Sequence, residues 1–385
     1  MSAPPAERLA RAALSRAVGA DENRAHAAVR EHGPVAVWDV LRARHPDVDP
    51  EADLRAQQLL GGRFVCPGDA EWPRCLDALD GPGSAPTATA VGAPFGLWAL
   101  GSGELAALAE RAVAVVGSRA ATPYGTRVTH ELAAGLAEAG WTVVSGAALG
   151  IDAAAHRGAL AGGGPTVAVL AGGCDLPYPR AHADLLGEIA RGGAVVSEAP
   201  PGTPHFRRRF LARNRLIAGL ARGTVLVEAG ARSGAVNTTR HARMLGRPVM
   251  AVPGPVTSAM SAGCHRLLRD ERESTVVVTD AADILEELGP IGGVAERPGW
   301  AGPRDGLGGL AVRLLDAMPA RATVGVASLA ARTAAAVADV LAVLGPLVLE
   351  GLVEQVPGGY RLTALGRAPA AGDPAAGDPA AGDPA

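Results

Sequence analysis

Lysine does not occur in the 385 residues, so all 36 basic side chains are arginine. Any grip on a phosphate must come from planar, forked guanidinium groups, and ammonium point charges are excluded. Aromatic residues make up only 3% of a chain that is 48% apolar and holds Gly 51 and Pro 30, a balance that suits an Ala/Val/Leu core cut by many glycine turns. Cysteine is scarce: Cys66, Cys75, Cys174 and Cys264 lie far apart with no CxxC pair. Zinc and disulfide frameworks therefore lack support, buried or incidental thiols are expected, and no metal or cofactor is. No apolar run approaches the roughly 20 residues that span a bilayer. The first twenty residues carry Glu7 and three arginines with no apolar h-region, so a cytoplasmic protein with no membrane partner is expected. The formal net charge of -3 gives no overall attraction for nucleic acid, and any such site must be a local patch.

The length suits two or three domains. Residues 1–60 read as short helices, with apolar positions at helical spacing (Leu9, Ala13, Leu14; Val35, Val37, Trp38, Leu41) and a break at Gly33-Pro34. Residues 61–110, with Trp72-Pro73, Gly81-Pro82 and Ala85-Pro86, read as a connecting segment. From residue 111 to 289 short β-branched runs begin at Ala112, Thr142, Thr166, Ala194, Thr224, Pro248 and Thr275, each followed by a loop and a helical pattern. Continuous apolar strands alternating with helices predict a Rossmann-like, doubly wound, mostly parallel α/β sheet, with ligands outside the strand C-termini. Residues 290–305 read as a linker. Residues 306–366 follow a winged-helix order: helices over Leu310–Met318, Val324–Arg332 and Ala334–Leu344, then a hairpin around Pro357-Gly358. Residues 367–385, with three Ala-Ala-Gly-Asp-Pro repeats, read as a disordered tail.

Four loops carry chemistry. Gly117, Ser118 and Arg119 follow the first sheet strand and can either cradle a phosphate or form a tight turn with Ser118 as its cap. No GxGxxG fingerprint is present. In the second loop Gly146 opens space, while Asp152 and His156 read as helix cap and core, since no nucleophile with a supporting base stands near them. The third offers Gly172, Gly173, Tyr178 and Arg180; the tyrosine is either a stacking surface or a packed turn. The fourth is the most informative. From Pro204 to Arg222 six arginines, among them Arg209, Arg213 and Arg215, occur with Asn214, Phe206 and Phe210 and no acidic residue. Phe210, Leu211, Ile217 and Ala218 mark a buried face that leaves most arginines outside, where a polyanion would explain them. Phe206 and Phe210 can stack bases, with Phe210 alternatively in the core. Glu228 either bonds a base or ribose edge or caps the loop, and Ser233, Gly234 and Thr238 open another helix that can face a phosphate.

Taken jointly, VVGSR at Val115–Arg119, SGAALGID at Ser145–Asp152, GGCDLPYP at Gly172–Pro179, SEAPPGTP at Ser197–Pro204, RNRLIAGL at Arg213–Leu220, VEAGARSGAVNTT at Val227–Thr239 and GRPVMAVPG at Gly246–Gly254 resemble the DNA-processing protein A (Smf) family in order and spacing. The resemblance implies a non-catalytic Rossmann-like core that binds single-stranded DNA, dimerises, protects incoming strands and helps load the RecA recombinase in natural transformation. It also implies a sterile-alpha-motif-like N-terminal domain and a C-terminal winged helix. On this match Gly117, Ser118 and Arg119 form the nucleotide-phosphate pocket, with Arg180 and Arg213 to Arg215 as DNA contacts. Phe210-Leu211-Ala212 departs from the family's usual FP before RNR, as does Asp270–Ser274 from its Gly-Ala. The third helix of the winged module carries Asp339 and no arginine, which suits a protein contact better than duplex readout. Two other readings remain: a lonely-guy-type phosphoribohydrolase, although its PGGxGTxxE loop is missing at Glu228–Thr239, and a winged-helix transcription factor.

Overall fold

The computed structural model describes residues 2–19, 22–81, 92–231, 233–289, 307–320 and 322–367. The expected linker and the Ala-Ala-Gly-Asp-Pro repeats lie outside the described residues. Contacts divide the chain into two compact units, Met1–Ala295 and Glu296–Ala385.

The first unit opens with helices α1 (Pro5–Ala17), α2 (Asn23–His32), α3 (Pro34–Leu41) and α4 (Pro50–Leu59). Next come β1 (Arg63–Val65), a 3-10 turn at Arg74–Asp80, β2 (Leu97–Leu100) and α5 (Leu105–Glu110). The strand–helix alternation follows: β3 (Ala112–Val116), α6 (Pro123–Glu138), β4 (Thr142–Ser145), α7 (Ile151–Ala161), β5 (Thr166–Leu170), α8 (Ala183–Gly192), β6 (Ala194–Ser197) and α9 (Arg207–Leu220). It continues through β7 (Gly223–Leu226), α10 (Ala235–Met244), β8 (Val249–Ala251), α11 (Ala262–Asp270), β9 (Thr275–Val277) and α12 (Ala281–Leu288).

These strands form one nine-stranded sheet in the order β1-β2-β6-β5-β4-β3-β7-β8-β9. Every pairing from β6 to β9 is parallel, and β2 joins antiparallel to β6. All five residues of β3 are buried, because alternate side chains feed opposite cores. Ala112, Ala114 and Val116 meet α9, while Val113 and Val115 face the cluster built with α6 and α7. This is the doubly wound sheet that the apolar runs predicted.

The segment 61–110 is not merely a connection, since it supplies β1, β2 and α5. Strands of three and four residues are too short to leave a periodic signal. The N-terminal helices interlock with this edge. Trp98 Nε1 donates to Ser15 Oγ at 3.1 Å, Arg8 donates to the Phe64 carbonyl at 2.7 Å, and Arg16 pairs with Asp53 and reaches the Pro201 carbonyl at 2.8 Å.

The second unit holds α13 (Gly309–Ala317), α14 (Val326–Thr333), α15 (Val337–Leu349) and the antiparallel hairpin β10 (Val353–Val356) and β11 (Gly359–Leu362). Helices α14 and α15 meet at 109° around Ala334, which takes a left-handed conformation. Leu314, Leu329, Leu344 and Leu347 fill the core of this winged helix. No single helix among the described residues is long and apolar enough to cross a membrane.

One contact fixes the loop that leaves β3. Thr122 caps α6, and the Glu228 carboxylate accepts from its backbone N–H at 2.9 Å and its hydroxyl at 2.6 Å. A Cβ on Gly125 would collide with that carboxylate. Gly125→Ala is therefore expected to cost about 1–3 kcal/mol of stability through overpacking; an unchanged urea midpoint would contradict the contact.

Candidate nucleic-acid interface

The sheet order reverses between β3 and β7, and the loops leaving these strands part to open a cleft of about 500 Å³ at their C-terminal ends. Gly117, Ser118 and Arg119 line it from β3, Phe210, Arg213 and Asn214 from α9, and Ser233, Gly234 and Thr238 from the start of α10. Gly117 is required by close approach, because a Cβ there would strike Ile151 and the Glu228 carbonyl. Ser118 donates its N–H to that carbonyl at 2.7 Å, and its hydroxyl accepts from Ala120 N–H at 3.1 Å, so it caps its own turn. Arg119 is exposed, with its guanidinium carbon 5.1 Å from the centre of the Phe210 ring.

The arginines of α9 do not share one outer face. From Arg213 to Leu220 the helix is buried on every side, while Leu211, expected inside, is 45% exposed. The reason is tertiary: the 3-10 turn at Arg74–Asp80 and α10 cover the surface that periodicity left to solvent, with Leu76 and Leu79 packed against Gly219. Arg215 is fully buried and paired with Glu198 through two hydrogen bonds, 2.6 and 3.0 Å long, and its Nε donates to the Gly92 carbonyl at 3.0 Å. The expectation of Arg215 as a DNA contact is therefore corrected. It is a structural cation whose acid partner lies 17 residues upstream.

Arg213 is different. Its Nη1 donates to the Gly146 carbonyl at 2.8 Å and to that of Val169, and its Nε donates to Asn214 Oδ1 at 3.3 Å. Among the described residues no carboxylate comes within ion-pairing distance, although Asp152 is close enough to act through space. Burial, reinforced by Arg119, lowers its pKa to about 10, so the guanidinium stays charged at neutral pH and faces the cleft.

The other predicted residues fall outside the cleft. Gly146 makes room for Arg213, whose guanidinium a Cβ would meet. Gly172 lies under the His205 ring, and Gly173 donates to the Thr203 carbonyl at 2.9 Å; both shape loops. Glu228 is 1% exposed and spent on Thr122, so the capping alternative holds and the base-edge alternative does not. Arg180 is exposed on a 3-10 turn, and half-buried Arg209 lines a separate water-sized cavity. Phe206 is 57% exposed at the start of α9. Arg222 lies at the far end of that helix, stacked 5.9 Å from the Trp141 ring centre.

Sequence reasoning missed an aromatic ledge beside the cleft. Tyr178, His205 and Phe210 have ring centres 5.0, 5.4 and 6.0 Å apart. Tyr178 and Phe210 each offered a stacking surface in the sequence, but their meeting around His205 left no signal there. Met260 and Asp152 also line the cleft. The former left no trace in sequence, and the latter, expected to cap α7, lies inside its first turn behind Gly150: its carboxyl accepts from the loop at Ala148 N–H at 3.4 Å, with burial holding it above the usual carboxylate range against the pull of Arg213.

Residues 63–289 match the family model of DNA recombination-mediator protein A. The chain belongs to that family. Residues 301–359 match the DprA winged helix domain. The chain is 46% identical over 361 residues to the putative DNA processing protein DprA of Mycobacterium tuberculosis, covering 90% of this chain and 92% of that one. It is 39% identical over 227 residues to the Smf protein of Escherichia coli, covering 58% and 56%. The X-ray structure of DNA processing protein A from Streptococcus pneumoniae superposes with a TM-score of 0.61 at 29% identity, over 75% of this chain and all of that one.

Arg215, buried and paired with Glu198, and Arg119, exposed at the cleft mouth, separate by experiment. Arg215→Ala strands Glu198 in the interior and is expected to cost about 3–5 kcal/mol. Arg119→Ala, at the surface, should stay within about 0.5 kcal/mol of the wild type. Guanidinium unfolding of both variants checks the contrast.

His156 is fully buried, its Nδ1 2.8 Å from Thr166 Oγ1. Burial, with the nearby charges of His182 and Arg213, pushes it down to about 3, and burial takes His241 to about 4. Against an ordinary value near 6.5, the unfolded chain takes up these protons first. Stability is therefore full above about pH 6.5 and falls as pH drops toward 4. His156→Gln should flatten the fall of the urea midpoint between pH 7 and 5, and an identical slope would refute the assignment.

Proposed function

We propose that this protein binds single-stranded DNA without catalysis, at the cleft between β3 and β7 and along the ledge beside it. The observation that carries the reading is Arg213, a buried cation with no paired carboxylate among the described residues, facing the cleft next to exposed Arg119. A buried charge of that kind is costly unless an anion completes it, and a phosphate fits its forked geometry. Tyr178, His205 and Phe210, with exposed Phe206, offer faces for bases that are free to leave a stack. Membership of the recombination-mediator family supports the further steps of the proposal: a cytoplasmic homodimer that shields incoming strands in natural transformation and passes them to RecA.

The phosphoribohydrolase alternative needs a catalytic acid in the cleft. Glu228 is committed to Thr122, and Asp152 accepts from the Ala148 N–H on the cleft wall. These commitments favour the binding reading.

Fluorescence anisotropy with oligo-dT and a matched duplex, across a salt series, tests it. Single strands should bind more tightly, with a log–log salt slope that Arg119→Ala reduces by about 0.7, the share of one phosphate contact. Phe206→Ala should weaken oligo-dT by about 1–3 kcal/mol. Equal affinity for both DNAs, with no effect of either substitution, would end the proposal.

A further inference from the structure

The cleft is shaped for less than a strand. Its volume, about 500 Å³, lies in the range of small-molecule sites. Its floor is closed by Val116, Ile217 and Asp152, which are 2%, 1% and 7% exposed, so a chain entering it has no second exit through the sheet. The polar character is uneven. Arg119 and Ser118 stand on one side of the mouth. Facing them, α10, ten residues long, begins after Gly234 with no acid in its first turn, its Ala235 N–H held by Ser233 Oγ at 3.3 Å. Arg213 adds a second guanidinium from within, more than nine-tenths buried and without a paired carboxylate among the described residues. Toward the floor the surface turns apolar at Val116 and Ile217, and Asp152 makes it a poor place for a phosphate. Asn214 and Thr238 stand on the same walls with hydrogen-bonding groups.

We propose that the cleft holds one nucleotide by a terminal phosphate monoester, with the phosphate at the mouth between Arg119, Arg213 and the start of α10 and the nucleoside against Val116 and Ile217. A monoester carries roughly −1.5 to −2 at neutral pH, against a single charge on an internal diester, so two guanidiniums and a helix N-terminus favour the former. Two sources supply this chemistry: free nucleoside 5′-monophosphates, and the 5′-phosphorylated end of a strand. The inference rests on the single-strand reading of the same cleft but is separable from it.

Calorimetry on the full-length protein with dTMP and with thymidine, at matched ionic strength, reads the first source. Anisotropy of 3′-labelled oligo-dT carrying a 5′-phosphate or a 5′-hydroxyl reads the second. The expected results are binding of dTMP and not thymidine, displacement of the oligonucleotide by dTMP, and a roughly tenfold gain from the 5′-phosphate, the scale of one charge-assisted hydrogen bond. Arg119→Ala should remove the dTMP signal, whereas Phe206→Ala should weaken the oligonucleotide and leave dTMP unchanged. Displacement without a 5′-phosphate gain assigns the cleft to free nucleotides, and a gain without displacement assigns it to strand ends. If oligo-dT binds through Arg119 but neither dTMP nor the 5′-phosphate matters, the inference is overturned and the single-strand reading stands. If dTMP binds and oligo-dT does not, the single-strand reading fails and the nucleotide site remains.

Discussion

Two guanidiniums carried into the interior by α9 set the character of this protein. Arg213 and Arg215 are neighbours on one helix and both are buried, yet they are neutralised differently. Arg215 meets the Glu198 carboxylate and the Gly92 carbonyl, so its charge is cancelled where it lies. Arg213 meets carbonyl dipoles at Gly146 and Val169 and the Asn214 amide, which offset part of its desolvation and leave its charge in place. One cation anchors the helix to the sheet edge, and the other is a standing demand for an anion.

The topology decides where that demand is felt. Because the strand order reverses between β3 and β7, two adjacent loops diverge there, and the parallel sheet cannot satisfy the polar groups at its own C-terminal edge. Glycines at Gly117 and Gly146 bring backbone and guanidinium close to the gap. The acids nearby do not pair with it: Glu228 turns away to Thr122, and Asp152 accepts from the Ala148 N–H without reaching ion-pairing distance of Arg213. A chain of net charge -3 thus keeps a positive cleft.

The parallel strands were legible because they are apolar on both faces, and a run such as Ala112–Val116 admits few other readings. β1 and β2 were not, since strands of three and four residues carry no period. Within the cleft, residues whose backbone does the work (Gly117, Ser118, Ser233, Gly234) could be read from local turn logic. The fate of each arginine could not. Periodicity placed them outside α9, but which of them is buried depends on Glu198, on the turn at Arg74–Asp80 and on α10, partners distant in sequence. The ledge was hidden for the same reason: Tyr178, His205 and Phe210 come from two loops and a helix.

The acidic net charge and the positive cleft together bear on selectivity between single and double strands. At physiological salt a charge is felt over about 8 Å, so the cleft acts at contact and does not steer from afar. A duplex presents about one charge per 1.7 Å of its axis, which a chain of net charge -3 does not attract beyond the cleft, and its bases stay stacked away from Tyr178 and Phe206. A single strand brings a lower charge density and bases that can turn onto the ledge. Helix α15 of the winged module adds no counterweight, because its exposed side carries Val337, Leu341, Leu349 and Asp339 and no arginine. Preference for single strands on the proposed reading then needs no recognition of sequence: it follows from a phosphate site too small for a duplex to exploit, set beside aromatic faces that only unstacked bases can reach.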